Sequence, residues 1–192
     1  MSRAYSLVEL LVVVALALLI CGAGMPALLA ARDDARADGA VDFLVGELRQ
    51  ARMEALRRNA QVAVRFEPVE ADYRLVLYVD GNGNGVRSAD IAAGADRLLR
   101  TRGFLADQFP GARFGIDGDA VDLDGVPSVE NPSPVRFGTS RMVSFSPTGT
   151  SSSGSVYVVG RGRRQLAVRV LGGTGRVRSF LYNFGARTWS SR

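Results

Sequence analysis

The sequence predicts an α+β chain in which a long N-terminal helix, membrane-spanning in its first half, packs on an antiparallel β-sheet head. Three observations carry that prediction. Leu10 to Ala31 is an unbroken run of 22 uncharged residues. Beyond it, apolar residues recur at helical spacing as far as Arg58, with no proline or glycine cluster between the two stretches. From Gln61 the apolar period drops to two and stays there.

At about 1.5 Å per residue, the uncharged run covers roughly 33 Å as a helix, enough for a hydrocarbon core. A secretory signal peptide is its rival, since Ala27 to Ala31 supply small residues for cleavage. Against that, the charged region is only Met1-Ser2-Arg3, the apolar stretch is long, and an acid, Glu9, stands at its front edge. A carboxylate costs about 2.5–3.5 kcal/mol at mid-bilayer and less near the interface, which makes Glu9 a functional candidate. The plainer alternative leaves it idle in the head-group layer. Gly22, Gly24 and Pro26 lie inside the run, and because proline removes a helical hydrogen bond and glycine weakens a helix, a bend or local unwinding is expected there. Cys21 reads as a small apolar residue that cannot form an internal disulfide.

The stem follows. Val41, Leu44, Val45, Leu48, Ala51, Ala55 and Leu56 form one apolar stripe with arginines and acids opposite, so a single helix is expected from about Tyr5 to Arg58. Strands are then expected at Gln61–Phe66, Tyr73–Val79, Arg97–Arg102, Met142–Phe145, Ser155–Val159, Gln165–Val170 and Arg176–Tyr182, separated by turn residues. A helix followed by a succession of strands argues for an antiparallel sheet with the helix on it. Gly103 to Pro134, rich in Gly, Asp and Pro, reads as a long variable surface loop. The boundaries expected are 1–4 for a leader, 5–31 for the membrane half of the helix, 32–59 for the stem and 60–192 for the head.

Composition removes most enzyme chemistry. The chain of 192 residues has 24 basic residues, all arginine, with no histidine and one cysteine. Without lysine there is no phosphate-binding P-loop and no Schiff base. Without histidine there is no imidazole base or ligand. Ser151, Ser152 and Ser153 fail the G-x-S-x-G spacing and have no base to activate them, so they read as a turn. No catalytic constellation emerges. The net charge of +5 is unevenly spread: residues up to Asn59 are neutral, Ala60 to Val135 hold seven arginines against twelve carboxylates, and Arg136 to Arg192 hold ten arginines and no acid. That segregation points either to a polyanionic partner or to contact between the acidic middle of one subunit and the basic end of another.

The segment from Arg3 to Val14, RAYSLVELLVVV, closely resembles the type IV prepilin processing signature. The resemblance implies cleavage between Ala4 and Tyr5 by a prepilin peptidase, N-methylation of Tyr5, and an assembly role for Glu9 and for Pro26, which falls where these helices carry a proline. The family normally has glycine before the cut, where this chain has Ala4. In the head, a strand ending in DGNGNG, a short RLLR strand, FSPTGTSSSGSVYVV and GGTGRVRSF resemble the type II secretion pseudopilin H and minor pilin FimT family (GspH/FimT). This implies a pilin-like fold and a subunit at or near the tip of a type II secretion pseudopilus or a type IV pilus. Its partners would be other pseudopilins or pilins, the peptidase and inner-membrane lipid. The chemistry agrees: cleavage would free an ammonium group at Tyr5 that the Glu9 carboxylate of a neighbour, offset by one step, can neutralise in an apolar setting. Arg3 before the run and the slightly acidic flank after it favour a cytoplasmic N-terminus and a periplasmic head.

Two head sites deserve a structural test. Asp80, Asn82, Asn84 and Gly85 match the first half of a D-x-N-x-N-G calcium loop, although the closing acid would fall at Ile91 and the available one is Asp90. The alternative is a hairpin turn. Arg176 and Arg178 share one face of a strand, and Arg161, Arg163 and Arg164 crowd a turn. Paired guanidinium groups suit phosphate backbones, and the family resemblance adds a Gly-Arg-x-Arg motif associated with DNA-binding minor pilins.

Overall fold

The computed structural model describes residues 6–70 and 72–192. Helix α1, Leu7–Arg58, is continuous over 52 residues. It stops at Asn59, whose left-handed backbone (φ 50°, ψ 37°) closes the last turn by donating its amide to the carbonyls of Ala55 and Leu56. Arg57 and Arg58 in that turn both bond Glu54. Gly22, Gly24 and Pro26, where a bend or local unwinding is expected, lie within the helix span, since one proline costs a helix only local hydrogen bonding. The two halves of α1 differ sharply. Large apolar side chains from Leu7 to Leu29 are all exposed, whereas Ala37, Ala40, Val41, Leu44, Leu48, Ala51 and Ala55 are fully buried. Leu56, expected in that stripe, is 43% exposed. It follows Ala55 by about 100° around the helix axis and so turns off the buried face.

The head contains two antiparallel sheets. Strands β1 (Val62–Val69), β2 (Asp72–Val79), β3 (Arg97–Arg102) and β6 (Met142–Phe145) form the first, in the order β3-β2-β1-β6. The second has the order β10-β9-β8-β7-β4, where β4 is Arg113–Phe114, β7 Gly154–Val159, β8 Gln165–Leu171, β9 Arg176–Asn183 and β10 Thr188–Ser191. Strand β5, Val135–Arg136, also pairs with β7. All seven expected strands are present. Three others, β4, β5 and β10, are too short or too irregular to show an alternating pattern. The short helices α2 (Ser88–Ala92) and α3 (Leu105–Gln108) lie in the connections on either side of β3.

Helix α1 covers the inner faces of both sheets. Phe66 stacks on Phe137 and meets Phe114 edge-on, with centroids 5.7 and 5.8 Å apart, beneath the buried leucines of the stem. Each outer face has its own cover. Over the first sheet, Val86 and Ile91 from the 80–96 connection pack on Ala63, Met142 and Tyr78.

Over the second sheet lies the segment expected as a long variable surface loop, and several of its residues are bonded to that sheet. The Tyr157 hydroxyl accepts the amide of Leu123 at 3.1 Å, the Trp189 indole donates to the Val121 carbonyl at 3.0 Å, and the buried Gln165 side chain accepts the amide of Asp117 at 2.7 Å. Tyr157, Tyr182 and Trp189 pack against one another below it. The segment 103–134 also contains α3 and β4, so only parts of it are irregular.

Candidate functional site

The N-terminal processing positions Ala4 and Tyr5 lie outside the described residues. Glu9 sits in the first turn of α1, and Pro26 sits within the helix. Every described side chain from Leu7 to Arg32 is exposed, and an 18-residue window here reaches a mean hydropathy of 2.7. The helix is long and apolar enough here to cross a membrane, which is compatible with a single-pass anchor.

Where the helix leaves that stretch, the head grips it. Asp34, Asp38 and Asp42 follow one another at four-residue intervals down one side of α1. Arg164, in the turn before β8, forks onto Asp38 with bonds of 2.9 and 2.7 Å and reaches Asp34 at 3.3 Å. Arg192 contacts Asp38 at 3.3 Å and Asp42 at 3.9 Å. The bond to Asp38, more than offsetting the opposing effect of burial, holds the Arg164 guanidinium above its ordinary pKa. Gly160, at the start of the same turn, lies so close to the helix that a methyl group on it would stand 2.6 Å from the Cβ of Ala37. Higher on the stem, the buried Glu47 accepts Arg100 at 2.8 Å and Arg102 at 3.1 Å, both from β3.

The charge segregation of the sequence closes in part inside one subunit. Arg136 bonds the buried Asp122, Arg163 bridges Asp117 and Asp119 at 3.2 and 2.5 Å, and Arg169 holds Asp124 at 2.5 Å. Arg136 also lies over the Tyr157 ring, and Arg163 over that of Phe184. The acidic middle and the basic end therefore meet, but in the same chain. Burial alone would push the Asp122 carboxyl up. The amides of Val126 and Asp124 and the Arg136 guanidinium outweigh it, leaving the group below the usual aspartate range. Of the five arginines singled out as a polyanion site, Arg163 and Arg164 are thus engaged. Arg161, Arg176 and Arg178 are exposed and form no ion pair among the described residues.

The Asp80 loop is a self-bonded turn. One Asp80 oxygen accepts the amides of Asn82 and Gly83 at 3.1 and 2.8 Å, the other that of Gly85 at 2.8 Å, and Asn82 accepts Asn84 at 3.2 Å. The carboxylate that closes the loop is Asp96, buried, with its two oxygens on the amides of Gly81 and Arg87. Asp90 is on α2, with its Oδ2 buried and unbonded. No group of three or more acidic or cysteine side chains is placed to share a metal among the described residues. The three serines are structural: Ser151 bridges to Phe145, Ser152 accepts the Ser144 amide and Ser153 that of Gly172.

Glu47, Asp96, Asp122 and the Asp34-Asp38-Asp42 row were not singled out by sequence. Only the last left a local signal, in its four-residue spacing. A comparison with curated proteins finds no match, and neither does a comparison with solved structures. The sequence model of the family described as type II transport protein GspH matches residues 40–174. That span runs from the buried part of the stem through the hairpin turn before β9. With an exposed apolar helix leading into it and an α+β head of two antiparallel sheets, the chain belongs to the type II transport protein GspH family.

Proposed function

We propose that this chain is a minor subunit cleaved between Ala4 and Tyr5, methylated at Tyr5, and added at or near the tip of a type II secretion pseudopilus that supports protein export. Family membership makes it a structural pseudopilin or minor pilin rather than an enzyme. The observation that carries the finer reading is α1 itself: one uninterrupted helix whose apolar half is bare and whose polar half is locked into the head. Such a subunit waits in the inner membrane with its head in the periplasm, then exchanges lipid for neighbouring helices without refolding its head. Glu9, four residues beyond Tyr5, is placed to compensate the new ammonium terminus of an adjacent subunit, and each ion then offsets the other's desolvation.

Co-expression of the full chain with a prepilin peptidase, followed by N-terminal sequencing, tests the first step. The expected product begins at methylated Tyr5. The second step is read by co-purification with the other pseudopilins, which Glu9→Ala should abolish while membrane insertion persists. A product that still begins at Met1, together with unchanged co-purification of Glu9→Ala, would sink the filament reading.

A further inference from the structure

We infer that the end of the head beside the foot of the stem binds the phosphate of an anionic phospholipid through Arg161, Arg163 and Arg187. The inference rests on the membrane-anchored reading of α1 and adds to it a second, electrostatic hold on the same bilayer. The uncharged run ends at Ala31, and Arg32 opens the charged stem. Ala37, where Gly160 meets the helix, is six residues beyond Ala31, roughly 9 Å at 1.5 Å per residue. Head groups add roughly 5–7 Å to each side of a hydrocarbon core. A long arginine side chain from the turn after Gly160 covers the remaining distance.

Two turns share this end of the second sheet. Strand β7 passes into β8 through Arg161–Arg163, and β9 passes into β10 between Asn183 and Thr188. Leu166 of β8 pairs with Leu181 of β9, so the turns lie side by side. Between them and the segment from Gly118 to Val129 is a largely polar cleft of about 470 Å³, with Arg163, Arg187 and Phe184 in its wall. Arg161 and Arg187 are exposed and form no ion pair among the described residues. The stem of Arg161 lies across Gly111, where a methyl group would stand 2.9 Å from its Nε and 3.0 Å from its Cγ. The Arg163 guanidinium lies 4.6 Å from the centroid of the Phe184 ring. Two of the three cations are thus already placed, and little side-chain freedom is lost on binding. Arg163 keeps Asp117, whereas Asp119, its other partner, is 77% exposed; so exposed a pair is weak enough for a phosphate oxygen to replace it. Glu70, Asp72 and Asp107 belong to the connections of the first sheet and do not line this cleft. An anionic surface therefore draws the second-sheet side of the head.

The test uses the full chain on a Cys21→Ser background, with a fluorophore on Ala186→Cys, in lipid nanodiscs containing a lipid with a nitroxide on its head group. Contact quenching of the label reads the ratio of docked to free heads. Quenching is expected in discs rich in phosphatidylglycerol, is expected to be absent in phosphatidylcholine alone, and should fade near 500 mM salt as screening shortens to about 4 Å. An arginine near an anionic surface contributes about fivefold, so Arg161→Ala/Arg187→Ala should cut the ratio about 25-fold. Arg176→Ala/Arg178→Ala, the same loss of charge at the far end of β9, should leave it unchanged. Circular dichroism confirms that each variant folds. Equal quenching in neutral and anionic discs, or equal losses from the two arginine pairs, would overturn the inference. Co-elution with the discs reads anchoring separately: a chain that stays in them undocked defeats this inference alone, and one that leaves them defeats the anchored reading as well.

Discussion

Replacing Arg100 and Arg102 together by methionine strands a carboxylate in the interface between stem and sheet. The Glu47 side chain is only 6% exposed, and these two guanidinium groups are its ion-pair partners. Methionine keeps much of the aliphatic bulk of each arginine, so lost packing contributes little, and the variant isolates the cost of an uncompensated buried charge. Breaking a buried pair from one side costs about 3–5 kcal/mol. Because the arginine partners are themselves 28% and 36% exposed, water can reach the site, and the lower end, about 3 kcal/mol, is expected. At roughly 2–4 °C per kcal/mol for a chain of this size, the melting temperature should fall by about 6–12 °C. Adding Glu47→Leu removes the stranded charge and should restore stability to within about 1 kcal/mol of the parent, since apolar replacement of a whole buried pair is often neutral. Thermal melts of the full chain in detergent, followed by near-ultraviolet circular dichroism of the head, provide the measurement. If the double and triple variants melt together, Glu47 is not held against its will by the two arginines, and the reasoning fails.

Gly160→Ala puts a methyl group 2.6 Å from the Cβ of Ala37 and should cost about 1–3 kcal/mol by overpacking; Ala37→Gly in the same chain should recover most of it in the same melts. Because the folded Asp122 has a depressed pKa, its stabilisation is complete above the unfolded value near 3.9 and drains away as pH falls through the folded one. Asp122→Asn should therefore lower neutral-pH stability by about 1–2 kcal/mol and flatten the acid side of a stability-against-pH curve; an unchanged acid limb would rule that assignment out. Pro26→Ala should leave carbonate-resistant membrane insertion intact while changing the yield of assembled filament. Equal filament yields would show that the helix needs no weak point.

The periodicities of the sequence carried the fold because each is local. A stripe such as Val41, Leu44, Val45 and Leu48 declares a helix face without knowledge of what covers it, and QLAVRV declares a strand in the same way. Strand β10 escaped because TWSS lacks alternation; it pairs with β9 across a short turn, and its Trp189 finds a partner in Val121, 68 residues away. The site was half legible for the same reason. Glu9 and Pro26 stand in a fixed linear register, whereas the destinations of the arginines do not. The partners of Arg163 and Arg169 lie more than forty residues back along the chain, so the acid-free C-terminal stretch looked like a surface seeking an outside partner. Likewise Asp90 was the nearest acid to the Asp80 loop in sequence, yet Asp96 closes it, because the chain reverses at Gly94 and brings the later residue back.

The grip of Arg164 on Asp38 spans 126 residues, and that separation bears on the order of folding. The acidic row on the stem is synthesised before β7 and β8 exist. Until the turn between those strands arrives, three aspartates at four-residue spacing repel one another along a helix that has no sheet to rest on. The stem can therefore be helical early yet find its seat only late, when contacts between distant parts of the chain form together, the kind of topology that folds slowly. A head interrupted before β8 would keep the N-terminal helix whole and leave an unsatisfied acidic flank on it, a charge signature that distinguishes it from the finished subunit.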